Sequence, residues 1–224
     1  RMIKLTILSD THKYHQQLNH LLKPGNLIIF SGDFMDIGDL IQKWSDVENF
    51  LVWFGGLRYD YKVMIAGNHD KLIQTNKEKF LNLIQTNNII YLEDSYSTLQ
   101  IDGRQISIYG SPFLCWKKHH GFYLDEQTLQ EQREKVQHVD ILISHCPPLK
   151  IMDRNIGCKS LAQTITRIKP KIATFGHIHE QTAIKNINET WYINCSVGGE
   201  YFEQLKPWNL LWDFDNNKMG LREE

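Results

Sequence analysis

The sequence is poor in cysteine and has no long apolar run. These two shortages argue against a cysteine-based zinc or redox protein and against a membrane-spanning protein. Among 224 residues there are four cysteines, and no two of them form a Cys-x-x-Cys pair: Cys115, Cys146, Cys158 and Cys195. A zinc knuckle or a redox motif of that kind is therefore not expected, and reduced thiols in a cytosolic protein are the plain expectation. The apolar runs are only a few residues long, so no segment is expected to span a bilayer.

The chain also lacks an excess of charge of either sign. Lysine and arginine number 25 and aspartate and glutamate 26, which gives a formal net charge of −1. Without a global field to attract polyanions, long nucleic acids and anionic membranes are unfavoured partners. No repeat or linker interrupts the chain, and 42% of its residues are hydrophobic, which is enough for one large core. We predict a single domain over residues 1–224, without a secretory leader and with a cytoplasmic location.

Short apolar runs alternate with amphipathic segments, and this alternation predicts an α/β fold. An Asp102-Gly103 turn predicts a hairpin in the middle of the chain, because both residues tolerate positive φ angles. Early βαβ units followed by hairpins predict two packed mixed sheets flanked by helices. Strands are predicted at 2–8, 27–30, 62–66, 97–101, 104–109, 141–144, 172–175, 182–185, 191–194 and 210–214, and helices at 15–22, 38–54, 80–84, 128–136 and 160–168.

Polar side chains follow five of the predicted strands, at the point where each strand ends. In an open α/β sheet, the loops beyond the carboxyl ends of the strands line the ligand crevice, so these residues are expected to converge. Asp10 and His12 are two residues apart, as are His177 and His179. In extended backbone such residues point to the same side, so each pair is expected to reach one cluster. The five segments are 9–12, 31–33, 67–70, 144–145 and 176–179.

These segments supply aspartate, histidine and asparagine but no thiolate. Carboxylate and imidazole suit hard-to-borderline divalent ions such as manganese, iron or zinc, and the missing cysteine argues against a closed structural zinc site. Two ions with a total charge of +4 would exceed the charge of two carboxylates, and the surplus would suit a phosphate anion. The residues therefore predict a metal-dependent phosphoester hydrolase with two adjacent ions.

The ordered motifs resemble those of the calcineurin-like metallophosphoesterase superfamily. Asp-x-His, Gly-Asp, Gly-Asn-His-Asp, a lone His after a strand and Gly-His-x-His occur in this order between Ser9 and about Ser196. Further stretches, such as His145-Cys146-Pro147-Pro148, resemble the metallophosphoesterase-domain-containing subgroup, which is associated with phosphodiesterase activity, including on cyclic nucleotides. The resemblance implies an α-β-β-α sandwich with two mixed sheets between outer helices.

The resemblance also implies a role for each motif residue. The first ion would be bound by Asp10, His12, Asp33 and His179, and the second by Asp33, Asn68, His145 and His177. Asp33 would bridge both ions together with a hydroxide, which would attack phosphorus in line. His69 would lie near the substrate, where it would protonate the leaving oxygen or stabilise phosphoryl charge, and Asp70 would orient it.

Several functions stay open at this point. We expect a phosphodiesterase acting on a small or cyclic nucleotide-type ester, with Mn²⁺ as the first choice of metal and iron, zinc, cobalt and nickel as compatible alternatives. A broad phosphomonoesterase would use the same centre. A non-catalytic scaffold is disfavoured because every ligand position and His69 are present. No protein partner is indicated.

The segment Pro112–Tyr123 allows two interpretations. Its aromatic residues alternate with basic ones, so Trp116 could stack on a nucleobase. An ordinary loop whose aromatic residues cover the core is the favoured alternative.

Overall fold

Within residues 2–37, 41–116, 118–198 and 206–222, which the computed structural model describes, twelve strands form two six-stranded sheets. The strands are β1 (Ile3–Leu8), β2 (Gly25–Ser31), β3 (Tyr59–Ile65), β4 (Ile90–Tyr91), β5 (Ser95–Ile101), β6 (Arg104–Ser111), β7 (Ile141–Ser144), β8 (Ile172–Phe175), β9 (Ala183–Ile187), β10 (Thr190–Asn194), β11 (Trp208–Asp213) and β12 (Lys218–Leu221).

Both sheets are mixed, with parallel strands at their centres. The first sheet has the order β12-β11-β1-β2-β3-β4 and the second the order β5-β6-β7-β8-β10-β9. Strands β1 to β4 are parallel neighbours, and so are β6, β7, β8 and β10. Antiparallel strands complete the edges. Within each sheet the parallel strands bring their carboxyl ends to one edge, which is where the predicted ligands lie.

The central core lies between the two sheets, and strand alternation explains it. Leu27 and Ile29 of β2 point into this core, together with Ile106 of β6 and Ile143 of β7. Intervening residues of β2, such as Phe30, belong to a second cluster on the outer face of the first sheet. The central strands are therefore apolar on both faces, as expected of parallel strands covered on both sides.

Helices cover both outer faces. They are α1 (Trp44–Gly55), α2 (Leu72–Thr75), α3 (Lys77–Thr86), α4 (Glu126–Glu134) and α5 (Lys159–Ile168). Phe50 and Phe54 of α1 pack against the first sheet, whereas Leu129 of α4 and Ile165 of α5 pack against the second. The predicted α-β-β-α order is therefore confirmed. No helix in the described part of the chain is both apolar enough and long enough to cross a bilayer.

Two predicted helices differ from the structure. The helix predicted at 38–54 begins only at Trp44; residues 38–40 lie outside the described residues, and Ile41 is 77% exposed. Lys43, directly before the helix, has an extended backbone, and the side chain of Gln42 bonds the backbone of His69 and of Leu72 in the neighbouring loop. The helix predicted at 15–22 is only a 3₁₀ turn over His15–Leu18.

The sequence predicted some of the turns, helix ends and short strands but not others. The Asp102-Gly103 turn is confirmed, with φ angles of 51° and 77°. Helix α4 begins two residues before the predicted start, because Asp125 caps it by accepting a hydrogen bond from the Thr128 amide at 3.0 Å. Strands β4 and β12 were not predicted; both are short edge strands with weak apolar alternation.

Replacing Leu5 by alanine should destabilise the fold by about 2–5 kcal/mol, because the side chain is fully buried between the sheets and its loss leaves a cavity. Lys4→Ala on the same strand is the matched control, since Lys4 is exposed, and should change the free energy of unfolding by less than about 0.5 kcal/mol. Urea unfolding of both variants measures the difference. Similar losses in both variants would contradict the assigned core.

Candidate metal centre

The predicted ligands do lie beyond the carboxyl ends of parallel strands from both sheets. The edges of the two sheets are tied together here: the Ser31 hydroxyl of β2 bonds the Thr174 hydroxyl of β8 at 2.7 Å. Two residues after β1, the Asp10 amide donates to the Gly32 carbonyl at 2.8 Å. These bonds bring loops that are far apart in sequence to one place.

Asp10, His12 and His179 form the first cluster of potential ligands. The His179 Nε2 atom lies 3.2 Å from Asp10 Oδ1 and 3.4 Å from His12 Nε2, and His12 Nε2 lies 3.9 Å from Asp10 Oδ1. Atoms that share one divalent ion at a metal–ligand distance of about 2.0–2.2 Å stand at similar separations. The three side chains therefore fit a single ion.

Asp33, His145 and His177 form the second cluster. His145 Nε2 lies 3.2 Å from Asp33 Oδ2 and 3.1 Å from the side-chain oxygen of Asn68, so the amide joins this group. The rings of His145 and His177 contact edge to face with centroids 5.3 Å apart. All seven residues predicted as ligands are thus distributed over two neighbouring clusters.

Two of the histidine rings are fixed by backbone carbonyls. The Nδ1 atom of His12 lies 2.8 Å from the Met35 carbonyl, and that of His145 lies 2.8 Å from the Ser31 carbonyl. A carbonyl can only accept, so each Nδ1 carries the hydrogen and each Nε2 is left to face its cluster. Hydrogen bonds of this type orient metal-binding imidazoles and raise their basicity.

The backbone at the ligands is not extended, which corrects the reason given for their pairing. Asp10, His12, Asp33 and His177 have φ angles of 57°, 42°, 62° and 65°, in the left-handed region. Such conformations cost of order 1–3 kcal/mol each and persist where the surroundings hold them. His177 and His179 face different clusters, which contradicts the expectation from their spacing and matches the two ions to which the resemblance assigned them.

Gly32 allows the two sheets to approach closely beside the second cluster. Its φ angle is 97°, and a Cβ atom there would lie 2.6 Å from the Ala66 carbonyl and 2.7 Å from His145 Nδ1. Neither the backbone nor the fixed imidazole could move aside. Glycine is therefore required at position 32, before Asp33, because only glycine leaves room for the His145 ring.

The buried charges of the two clusters compensate one another. Burial by itself would raise the pKa of Asp10, but the hydrogen bond and charge of His179, together with the charge of His145, outweigh it and lower the pKa to about 2. The same balance, with His145 as the compensating cation, holds the pKa of Asp33 well below its usual range. Burial opposes a charge on His145, yet Asp33 raises the pKa of the ring to about 9. A positive charge on His145 is thus favoured at the place where the ligands would hold a cation.

His69 lies beside both clusters, and its ring contacts the rings of His12 and His120. Its centroid is 5.4 Å from that of His12 and 5.1 Å from that of His120, edge to face in both cases. Its amide donates to Asp33 Oδ1 at 2.8 Å, but among the described residues its ring has no hydrogen-bond partner. Burial lowers the pKa of His69 to about 4, so the ring is neutral near pH 7.

The orienting role predicted for Asp70 would require a hydrogen bond to the ring of His69. Among the described residues Asp70 makes no such bond. Its carboxylate accepts from three backbone amides instead: Asp33 at 2.9 Å, Met35 at 2.9 Å and Gly67 at 2.7 Å. Burial, together with the charge of Asp33, raises the pKa of Asp70 to about 8. Through the three bonds the carboxyl group of Asp70 holds the loop after β2 against the loop after β3, and with them the backbone that carries Asp33 and Asn68.

The segment Pro112–Tyr123 contributes two side chains that the sequence did not assign to the site. Trp116 donates its indole N–H to His177 Nε2 at 3.1 Å, and His120 Nδ1 lies 3.3 Å from the Asn68 amide nitrogen. Phe122, by contrast, is buried in the outer core, which is the role favoured for the aromatic residues of this loop. The alternation of aromatic and basic residues was the signal, but it could not show which ring faces which ligand.

The fold and the site together define a class: sandwich hydrolases with two adjacent carboxylate–imidazole clusters at the carboxyl ends of parallel strands. A family model described as calcineurin-like phosphoesterase matches residues 3–181. The chain belongs to the calcineurin-like phosphoesterase family and is accordingly an enzyme that hydrolyses phosphoric esters. The family uses a dinuclear metal centre, which the two ligand clusters fit.

Similar proteins of known name agree with this family. Metallophosphoesterase domain-containing protein 1 from Homo sapiens is 33% identical over 236 residues, covering 91% of this chain and 69% of the relative. Among solved structures, TT1561 from Thermus thermophilus covers 100% of this chain and 99% of its own, with a TM-score of 0.68 and 12% identity. Phosphopantetheinyl hydrolase from Mycobacterium tuberculosis covers 87% and 89%, with a TM-score of 0.62 and 14% identity. The two structures support the fold.

Manganese binding near pH 7 should release at least about one proton per chain, because His145 must lose its proton before Nε2 can bind an ion. The apparent affinity should therefore increase with pH up to about pH 9. Titration calorimetry in buffers of different ionisation enthalpy measures the proton count. His145→Gln should reduce the count by about one, while His138→Gln, an exposed histidine away from the clusters, should leave it unchanged.

Asp70→Asn should lower the free energy of unfolding of the metal-free chain by about 1–3 kcal/mol, because an amide nitrogen would face at least one buried backbone N–H that now has an acceptor. Asp102→Asn is the control, since Asp102 is exposed in a turn where asparagine is equally suited. Urea denaturation of both variants compares them. An Asp70→Asn variant as stable as the control would remove the backbone-anchoring role.

Proposed function

We propose that this enzyme hydrolyses small phosphodiesters of the cyclic or nucleotide type, with two divalent metal ions as cofactors. The observation that carries the proposal is the proximity of charges: two ligand clusters, each with one carboxylate and two histidines, stand next to each other, and the ring of His69 lies beside both. A phosphate group is the common anion whose oxygens could be held by two cations at once.

The ligand roles follow the two clusters. Asp10, His12 and His179 would hold one ion, and Asn68, His145 and His177 the other, with Asp33 as the bridge between them. In the structure Asp33 groups with His145 and His177. That it would also contact the first ion is part of the proposal. Oxygen and imidazole ligands without thiolate favour Mn²⁺, with iron, zinc, cobalt and nickel compatible. When bound, the ions would polarise the phosphoryl group and lower the pKa of a bound water.

The substrate class follows from charge and from size. The net charge of −1 supplies no attraction for a long polyanion, so a small ester is favoured over nucleic acid. Trp116 and His120 lie next to ligands of the second cluster and offer aromatic surface that the ring of a nucleoside could contact. One similar structure is described as a 5′-nucleotidase from Staphylococcus aureus, which supports a nucleotide-type substrate but not the choice of a diester over a monoester.

The test is a panel of substrates assayed with Mn²⁺: bis-p-nitrophenyl phosphate, p-nitrophenyl phosphate, and 2′,3′- and 3′,5′-cyclic nucleotides. We expect faster turnover of the diesters than of the monoester, and Asp33→Asn should lower kcat/KM by at least about a hundredfold, since Asp33 would contact both ions. Asp102→Asn, the exposed control, should keep full activity. A clear preference for the monoester would instead establish the phosphomonoesterase alternative, and a folded chain that turns over none of them with any of the five metals would refute the proposal.

The pKa of His69 supports one of the two roles predicted for this residue. A ring whose pKa is lowered to about 4 is neutral at pH 7 and is a poor proton source. Nearby cations would lower the pKa further, because they disfavour a positive charge. A neutral imidazole can still donate its N–H to a phosphoryl oxygen. We therefore assign to His69 the stabilisation of phosphoryl charge.

Replacing His69 by alanine should lower kcat by about 10²–10³-fold, the usual effect of losing one donor to a developing oxyanion. The loss should be similar for p-nitrophenyl and methyl esters, because neither reaction would use His69 as an acid. His69→Gln keeps an N–H donor and should recover part of the rate. A loss confined to the methyl ester, without recovery in His69→Gln, would restore the acid role. Single-turnover rates on both esters measure the comparison.

A further inference from the structure

Arg133 is a buried cation without a carboxylate partner. The residue is 2% exposed on α4, and among the described residues no aspartate or glutamate forms an ion pair with it. Its guanidinium donates to Cys158 Sγ, to Ser160 Oγ at 3.1 Å, to the Phe113 carbonyl at 3.1 Å and to Cys146 Sγ at 3.3 Å. A buried charge is stable only when an opposite charge or several hydrogen bonds compensate it.

The guanidinium of Arg133 faces a cluster of thiols around Cys158. Cys115 and Cys146 both hydrogen-bond to Cys158, and the Ser160 hydroxyl lies 3.2 Å from its sulfur. The bonds with Cys115 and Cys146, helped by the charge of Arg133, hold the pKa of Cys158 well below its usual range. The same bond raises the pKa of Cys115, which therefore carries the hydrogen. Arg133 thus contacts the Cys158 sulfur and favours its thiolate form, and Cys115 is the thiol next to it.

This arrangement suits an oxidant better than a metal ion. A guanidinium in contact with two of the sulfurs would repel a cation, and within the described residues the groups with metal-binding geometry contain no cysteine. The thiolate is the form of cysteine that reacts with peroxides and disulfides. The neighbouring thiol is placed to resolve the first oxidation product. All four cysteines are free.

We propose that Cys158 and Cys115 form an oxidisable pair, which hydrogen peroxide or another small hydroperoxide converts into a reversible disulfide. Cys158 is 2% exposed, but Cys115 is only half-buried and forms the outer edge of the cluster. The proposal therefore requires that a small hydroperoxide reach Cys158 beside the half-buried Cys115. Cys146 is fully buried and serves as a hydrogen-bond partner of the thiolate.

The chemistry balances in two steps. The Cys158 thiolate attacks one oxygen of the peroxide; an S–O bond forms, the O–O bond breaks, and the departing oxygen takes a proton and leaves as water or an alcohol. The product is a sulfenic acid on Cys158. The Cys115 thiol then attacks that sulfur; an S–S bond forms, the S–O bond breaks, and the hydroxide leaves as water with the thiol proton. In total two thiols are oxidised to a disulfide while one peroxide is reduced.

The pair is connected to the candidate metal centre by one residue. Trp116 follows Cys115 and donates to His177, a member of the second cluster. A bond from Cys115 to Cys158 would pull the loop toward α5 and change the position of Trp116. If the proposed function holds, oxidation should therefore alter the hydrolytic activity, and a thiol reductant should restore it.

The experiment measures intact mass and peptide maps of the purified full chain after treatment with hydrogen peroxide. We expect a loss of about 2 Da and a Cys115–Cys158 cross-link that dithiothreitol removes. Cys115→Ser should instead gain about 16 Da on Cys158, the mass of a trapped sulfenic acid. Cys146→Ser is the matched control from the same cluster and should form the same disulfide. Arg133→Met should slow oxidation at least about tenfold, since it removes the cation that stabilises the thiolate.

Several results would overturn the proposal. These are a disulfide that includes Cys146, oxidation that persists unchanged in Cys158→Ser, or a chain whose thiols all remain reduced while circular dichroism shows a folded protein. Activity toward bis-p-nitrophenyl phosphate is assayed separately, before and after oxidation, in the wild type and in Cys115→Ser. Unchanged activity in a chain that mass spectrometry shows to be cross-linked would refute only the link through Trp116. Absence of activity in the reduced chain would concern the proposed function and not the thiol pair.

Discussion

The burial of two carboxylates, Asp10 and Asp33, is the constraint on which the candidate metal centre depends. A carboxylate removed from water must be matched by positive charge or hydrogen-bond donors. The chain meets this need with imidazoles, some fixed by backbone carbonyls, and with backbone amides such as that of His177, which donates to Asp10 at 3.0 Å. Asp33 raises the pKa of His145, which is the effect expected of a site whose negative charge favours cations. Binding of divalent ions replaces one kind of positive charge by another.

Holding these groups in place requires a strained and densely bonded backbone. Four of the ligands have left-handed φ angles, which the bonds between the two sheets must maintain. Asp70 is central to this support, because one carboxylate joins the loops after β2 and β3. The same residue would have little effect on the chemistry itself. It thus illustrates how a motif residue beside a ligand can act through the main chain and not through its neighbour's ring.

A buried positive charge, that of Arg133 on α4, lies against the second sheet. Arg133 and Cys158 lie between the outer helices and the sheet, on the side away from the central core. The loop from Phe113 to Trp116 contacts both charge centres: the Phe113 carbonyl accepts from Arg133, and Trp116 donates to His177. Such a loop can respond to chemistry at the thiols and change the surroundings of the metal ligands. The physical link is short and requires no movement of the sheets.

By itself the sequence determined the order of the central strands and of the longer helices, and the ligand types that follow five of the strands, because apolar periodicity and residue chemistry are local properties. The Asp102-Gly103 turn was readable for the same reason. Only the tertiary structure decided that four of the ligands have left-handed φ angles, that helix α1 begins at Trp44, and that Asp70 bonds the amide of Asp33. Those facts depend on contacts between residues up to about 170 positions apart, whose geometry arises only when the two sheets pack. The pairing of Arg133 with Cys158 has the same origin, since neither residue has a distinctive local sequence.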